Sequence, residues 1–362
     1  MPGKTARSSN LELLRILCML LIIGDHLTGQ GGIADYTTLP SSFAFCLIGC
    51  GSRIACSVFI LIGGWFLCEQ QYKTRRPLSL WLSLWLYTVP VTLLCRLGGL
   101  DVSLGAMRWA LFPASTRQLW FISDYLLLLL CVPLLNRLLH GLPRAAHRGV
   151  LAVLAVPLLV YPTLFAENGL TVDTAWMFLY EYLLIAYLRR YPDNRLTRLL
   201  QRRCAALLLG LGLPLVNTAV RAVLEMRGLT DGKAFQYIAY YRTALGALPN
   251  LLAALALFYL FKGLSLGSVR WINALSGTTL GVYILHQIPA FRGFLWNGVL
   301  QAQAHHGSVG YTLFAVAAVF LGCAAVDALR TALVMRPLEN TRLFKALCEK
   351  GDALAAKITA DD

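Results

Sequence analysis

The chain has 362 residues, of which 57% are hydrophobic and only 14% charged, with a formal net charge of +14. Soluble domains carry about 25% charged residues, and a water-facing fold this apolar would expose large greasy patches. Soluble enzymes, disordered chains and secreted disulfide scaffolds are therefore excluded. Apolar runs recur along the whole length, and about 20 such residues are enough to cross a bilayer as a helix. With a mean hydropathy of +0.63, the chain reads as an all-α polytopic membrane protein.

In chain order, the pattern predicts about ten transmembrane helices, at residues 11–28, 43–67, 78–97, 120–139, 149–166, 174–191, 204–224, 242–262, 275–295 and 311–334. Short polar or Gly/Pro-bearing connectors such as Thr28–Pro40 and Glu167–Asp173 separate them. The first run holds Glu12 and Arg15 and lacks a small-residue cleavage site, so it reads as a retained helix. Leu104–Phe112 is too short to cross and reads as a re-entrant or interfacial helix. Residues 1–340 are expected to form one transmembrane domain, and 341–362 a short cytoplasmic tail with room for one amphipathic helix. No internal repeat is visible.

Orientation follows from the connectors, because cytoplasmic loops are rich in Lys and Arg. With the N-terminus inside, the inner segments hold 22 Lys and Arg and the outer ones 8, which predicts both termini in the cytoplasm. The same distribution accounts for the positive charge without a nucleic-acid partner. Of the ten cysteines most lie within apolar runs and none form a CxxC pair, so neither metal nor redox chemistry is expected.

Ionisable residues at membrane depth are costly, and each is a functional candidate. The first span reads Asn10-Leu-Glu-Leu-Leu-Arg15, then ten residues, then His26. Eleven residues make three turns plus about 20°, so Arg15 and His26 share one helix face, roughly 16 Å apart along the axis. A snorkelling Arg and an interfacial His are each common alone; together on one face, with Glu12 and Asp25 beside them, they point to chemistry.

That motif resembles the first helix of acyltransferase family 3, the integral membrane O-acyltransferases. Ser52-Arg-Ile-Ala-Cys-Ser-Val-Phe-Ile-Leu-Ile-Gly-Gly-Trp-Phe-Leu67 is similar to the family's second-helix segment, and Lys73-Thr-Arg75-Arg76 falls at its basic cluster. Leu119-Trp120-Phe121-Ile-Ser-Asp-Tyr125-Leu126 resembles its Trp-aromatic motif, and Gly281-Val-Tyr283-Ile-Leu-His286 its late Tyr-x-x-His motif. The resemblance spans nearly the whole chain. Three departures stand out. Gly63-Gly64 replaces the family's Ser-Gly, Lys73 and Arg76 hold places usually taken by two Arg, and the extra extracellular esterase-like domain of some relatives has no room here.

The resemblance implies transfer of an acyl group, usually acetyl, from cytoplasmic acyl-CoA to a hydroxyl, often of a cell-surface glycan or its lipid-linked precursor. It implies a multi-pass protein of the cell membrane, with acyl-CoA as donor substrate and no permanently bound cofactor. Such a reaction needs a base for the acceptor hydroxyl or a nucleophile to carry the acyl group, and His26 suits either role. Arg15, Lys73, Arg75 and Arg76 are the cations for the CoA phosphates, and the span from Arg15 to His26 matches the reach of a pantetheine arm. Asp25 is either a helper of His26 or a partner for another helix. Arg53 is expected to pair with a buried acid, Asp124, Glu181 or Asp327. Trp120 and Tyr125 are candidates for an acceptor groove, and Tyr283 and His286 for further polar groups of the site. His140, His147, His305 and His306 are expected in loops without special roles.

Two other classes compete. A ten-helix transporter or flippase of a lipid-linked or sugar substrate fits the span count, and Pro214 and Pro249 interrupt its spans, but transporters favour internal repeats. A membrane-anchored partner without chemistry leaves the Arg15–His26 face unexplained.

Overall fold

The computed structural model describes residues 9–165 and 173–360. Lys4, Arg7 and the Arg242 side chain, all used in the charge count, lie outside the described residues, as does most of the Glu167–Asp173 connector.

Every element among the described residues is a helix. In order they are α1 (Ser9–Gln30), α2 (Leu39–Cys50), α3 (Ser52–Leu67), α4 (Arg75–Leu97), α5 (Leu104–Leu111), α6 (Trp120–Gly141), α7 (Arg144–Ala155) and α8 (Tyr161–Leu164). There follow α9 (Thr174–Arg190), α10 (Arg195–Leu200), α11 (Arg203–Leu207), α12 (Leu213–Met226), α13 (Lys233–Thr243) and α14 (Leu248–Lys262). The last are α15 (Arg270–Ser276), α16 (Thr279–Gln287), α17 (Pro289–Gly293), α18 (Val309–Arg330), α19 (Arg336–Glu339) and α20 (Arg342–Thr359).

Six continuous helical runs among the described residues are long and apolar enough to cross a membrane: Leu39–Leu67, Arg75–Leu97, Trp120–Gly141, Arg144–Leu164, Arg203–Met226 and Val309–Glu339. The other four expected spans are helical too, but each is charge-bearing, short or broken. α1 carries Glu12, Arg15 and Asp25. α9 has 17 residues. The expected span 242–262 breaks after Thr243 and resumes at Leu248, so Pro249 opens α14 in its first turn. There a missing N–H costs nothing, and Pro249 does not interrupt a span. Pro214, by contrast, lies inside the continuous run Arg203–Met226, directly after its π-helical stretch Leu208–Gly212, so it distorts that span without ending it. The expected span 275–295 is three pieces, α15 to α17, with Ile288 extended before Pro289, as a residue preceding proline prefers.

Side-chain caps set several starts. Thr38 accepts from the Ser41 amide, Ser103 from Ala106 and Thr341 from Phe344, each satisfying one orphan amide of a first turn. His140 and His147 are not loop residues: both are helical, and His147 is 1% exposed, with Nε2 3.1 Å from the Leu183 carbonyl.

The run α2–α3 is 72% buried inside the protein, while Arg203–Met226 is only 22% buried. The first is therefore the interior helix, and the second faces its surroundings. α3 packs on α1, α9 and α14, and α1 also packs on α15, α16 and α18. Close approach depends on glycine, since helices that gain nothing from lipid need small residues to touch. A Cβ at Gly64 would lie 2.7 Å from Ile185 Cγ2, and one at Gly24 2.7 Å from Ile48 Cγ2.

α16 also packs closely on α18. Asp327, 4% exposed, accepts from Tyr87 Oη at 2.6 Å and from Arg330 Nη2 at 3.0 Å, tying α4 to α18. A Cβ at Gly281 would sit 2.1 Å from Asp327 Oδ1. Gly281→Ala is therefore expected to displace a buried, paired carboxylate. Overpacking of this kind costs about 1–3 kcal/mol, so the purified variant should unfold several degrees below the parent in a thermal melt. Unchanged melting would mean that this crossing does not set the α16–α18 spacing.

Candidate active site

α1 carries the two residues that organise the site. Arg15 lines an inner cavity of about 240 Å³, and His26 an outer one of about 410 Å³. Both cavities include Ile22 and Tyr283 among their walls, so they meet at one layer of side chains. The shared face expected of Arg15 and His26 thus opens into both. Arg15 is fixed by Glu12, whose carboxylate oxygens lie 3.1 and 3.2 Å from Nη1. Glu12 in turn accepts from Ser276 Oγ of α15.

His26 meets His286 of α16: His26 Nδ1 and His286 Nε2 are 2.9 Å apart. One turn back on the same helix, the Val282 carbonyl oxygen lies 2.6 Å from His286 Nδ1. A carbonyl only accepts, so His286 Nδ1 carries a hydrogen; the neutral ring then accepts at Nε2, and His26 donates from Nδ1. This hydrogen-bond logic leaves a lone pair on His26 Nε2, which has no protein partner among the described residues. His286 is 0% exposed and cannot be relieved by solvent. The Trp296 ring stands edge-on to it, 6.1 Å between centroids. Below it, Gln287 and Gln30 exchange amide hydrogen bonds at 3.2 and 3.3 Å, and Trp296 Nε1 donates to Gln30 Oε1 at 3.2 Å. The pair is thus clamped between α1, α16 and the turn after α17.

The outer cavity gathers several expected residues. Asp25 and Trp120 line it with His26. Arg53 lines it as well, but not as one half of a buried ion pair. Its guanidinium lies over the Trp120 ring, 4.9 Å from the centroid. The three acids proposed for it are engaged elsewhere. Asp124 accepts from Arg117 Nη2 at 2.9 Å and from Thr174, Glu181 from Ser57 Oγ at 2.5 Å, and Asp327 from Tyr87 and Arg330. Each sits nearer another cation or hydroxyl than sequence distance could reveal. Arg117, at φ 49°, also grips Asp173, the cap of α9, at 2.7 Å. Its hydrogen bonds hold the Asp173 carboxyl below the usual carboxylate range and pin the loop that carries Gln118 and leads into Trp120.

Tyr125 and Tyr283 line the inner cavity. Arg15 and Arg76 both lie near enough to Tyr125 to act on it electrostatically. A Cβ at Gly63 would be 3.0 Å from Tyr125 Oη, so the glycine lets the Tyr125 hydroxyl take the place that a side chain would occupy.

The three cations of the basic cluster are exposed, and each has a partner within the protein. Lys73 Nζ is 3.8 Å from Asp352, Arg75 Nη2 is 2.5 Å from Glu339, and Arg76 donates to Gln70. Asp352 lies on α20 and also accepts from the Thr74 amide at 2.6 Å. Beside these contacts is a cavity of about 840 Å³, walled by residues 68–73, by Arg137 and His140 of α6, and by Asp352 and Thr359 of α20. The tail helix thus forms one wall of the space next to the cluster.

Sequence reasoning missed Arg292, Gln30, Gln118 and Gln287, all in the outer wall. Arg292 counted only as a connector cation; the bend at Ile288–Pro289 brings it back to His26, and no spacing rule announces that. Among the described residues, no group of three or more His, Cys, Asp or Glu side chains is arranged to hold a metal ion.

Helices that bury a polar histidine pair where two cavities meet define a membrane-embedded protein with a chemically equipped interior. Residues 8–328 match the acyltransferase domain. That match covers most of the chain, which therefore belongs to acyltransferase family 3 and is a membrane acyltransferase. No curated protein and no solved structure matches it.

The α20 contact yields a direct test. Asp352→Ala removes the acceptor for the Thr74 amide and the partner of Lys73. The Lys73 and Asp352 side chains are 56% and 32% exposed, and exposed ion pairs contribute only about 0–1 kcal/mol, so global melting should hardly move. Deuterium uptake at residues 341–359 should accelerate; unchanged uptake would mean that Asp352 does not hold α20 in place.

Proposed function

We propose that this acyltransferase moves an acyl group, acetyl in the first instance, from cytoplasmic acyl-CoA to a hydroxyl of a cell-surface glycan or its lipid-linked precursor. The observation that carries the reading is the relay from the Val282 carbonyl through His286 to His26, set where the Arg15 cavity meets the outer one. The relay supports His26 Nε2 as the base. The acceptor hydroxyl gives its proton to Nε2, its oxygen forms a bond to the thioester carbonyl carbon, the C–S bond breaks, and the leaving thiolate recovers the proton from His26. When His26 is protonated, both of its N–H groups donate, and the Nδ1 donor is already matched to His286. His286 is a positioning residue: it fixes the His26 tautomer through a hydrogen bond and touches no substrate.

The donor enters from the other side of this layer. Arg15 presents a planar fork suited to phosphate or carbonyl oxygens, and Glu12 aims it. Lys73, Arg75 and Arg76 complete the phosphate end. The reading places both termini in the cytoplasm of a cell-membrane protein of ten passes, supported by the excess of Lys and Arg on that face. Asp25, Trp120, Tyr125 and Tyr283 wall the path between donor and acceptor.

A positioned base contributes typically 10²–10⁴-fold in rate. His26→Ala and His26→Gln should therefore both abolish measurable thiol release from acetyl-CoA in the presence of acceptor, with CoA binding nearly intact. His286→Ala should lower kcat on the order of a hundredfold and alter the pH–rate profile. A purely structural role would lower yield and leave the profile of the surviving enzyme unchanged. Near-normal turnover in His26→Gln removes the base from this site.

Arg15→Ala should weaken CoA binding by calorimetry at least tenfold, and Arg15→Lys should recover little of it because a point charge cannot replace a fork. Unchanged affinity in Arg15→Ala takes Arg15 out of the donor site.

A further inference from the structure

The outer cavity holds more positive charge than the chemistry at His26 requires. Its wall contains two guanidinium groups, Arg53 and Arg292, against a single carboxylate, Asp25. They reach it from different elements, α3 and α17. Neither makes an ion pair with any carboxylate among the described residues. Both lie near enough to His26 to act on it electrostatically. Arg53 is oriented by the Trp120 face, 4.9 Å below it, a stacking that holds the plane of the fork and leaves its N–H edges for a ligand. Gln118 supplies a third, independent feature. Its Oε1 is buried and has no hydrogen-bond partner among the described residues, in the same wall. An orphaned acceptor is costly, and a ligand donor such as a hydroxyl relieves it.

Two forks and one empty acceptor around a base describe the ligand. We infer that the outer cavity takes an anionic acceptor, a sugar bearing a carboxylate or phosphoryl group near the hydroxyl that receives the acyl group. Arg53 and Arg292 grip the anion, bidentate where its oxygens allow, and Gln118 Oε1 accepts from a neighbouring hydroxyl. His26 then faces the hydroxyl to be acylated. Arg53 and Arg292 thereby set specificity: a neutral sugar leaves two cations unpaired. The inference rests on the acyl-transfer reading of the same cavity and adds the class of acceptor to it.

The test separates binding from turnover. Purified full-length protein in nanodiscs is titrated with methyl glucuronide, glucose 1-phosphate and methyl glucoside, reading the quench of tryptophan fluorescence. The same three probes are then offered as acceptors with acetyl-CoA. The expected result is that one or both anionic probes bind at least tenfold more tightly than the neutral one. Preference between the two anionic probes assigns the anion as carboxylate or phosphoryl. Arg292→Gln, at an exposed position where folding is safe, should erase that preference and leave methyl glucoside unchanged. Arg53→Lys, which keeps the charge but loses the fork, should weaken the anionic probes about tenfold. Equal binding of all three probes overturns the inference. So does a drop in kcat with acceptor KM unchanged in Arg292→Gln, since the cations would then act on the reacting oxyanion. Selective anion binding without any consumption of acetyl-CoA keeps the anion site and overturns the acyl-transfer reading instead.

Discussion

A polar side chain that enters the membrane interior must find its partner within the protein, because the surrounding lipid offers none. His26 finds His286, 260 residues away in sequence, and His286 finds the carbonyl of its own helix one turn back. This chain of two hydrogen bonds does more than satisfy three polar groups. It fixes which nitrogen of each ring carries hydrogen, and it joins the first helix to a late one at the level where both cavities end. The turn at Ile288–Pro289 brings the chain back so that Trp296 donates to Gln30 beside the pair.

Arg15 and His26 stand on one helix face with an apolar stretch between them, and the protein puts a different cavity at each. The inner cavity is walled mainly by aromatic and aliphatic side chains around one guanidinium; the outer one is rich in amides and charges. Ile22 and Tyr283 wall both cavities.

Around this centre the polar groups are paired in ways that serve placement. Arg117 clamps Asp124 and Asp173 and so sets the loop before Trp120. Glu12 holds Arg15, and Ser276 holds Glu12. At the basic cluster, the acids of the C-terminal segment, Glu339 and Asp352, lie against Arg75 and Lys73.

The sequence by itself determined the class of fold, because apolar runs at bilayer length leave no soluble alternative. It determined the Arg15–His26 face, because the helical repeat alone puts residues eleven apart on one side. It also carried the family in its spaced motifs, which the match over residues 8–328 bears out. What it could not determine was pairing. Hydrogen bonds at membrane depth join residues far apart in the chain, and periodicity within one helix says nothing of the facing helix. So the facing partner of His26 is His286, and Arg53, expected on an acid, stacks on Trp120. Arg292 looked like a loop cation until the turn at Ile288–Pro289 brought it to the base. Nothing in the sequence tied the basic cluster to the C-terminal segment, yet α20 brings Asp352 to Thr74 and Lys73. In each case the deciding quantity is a distance between helices, set by packing at glycines such as Gly64 and Gly281, and only the folded chain contains it.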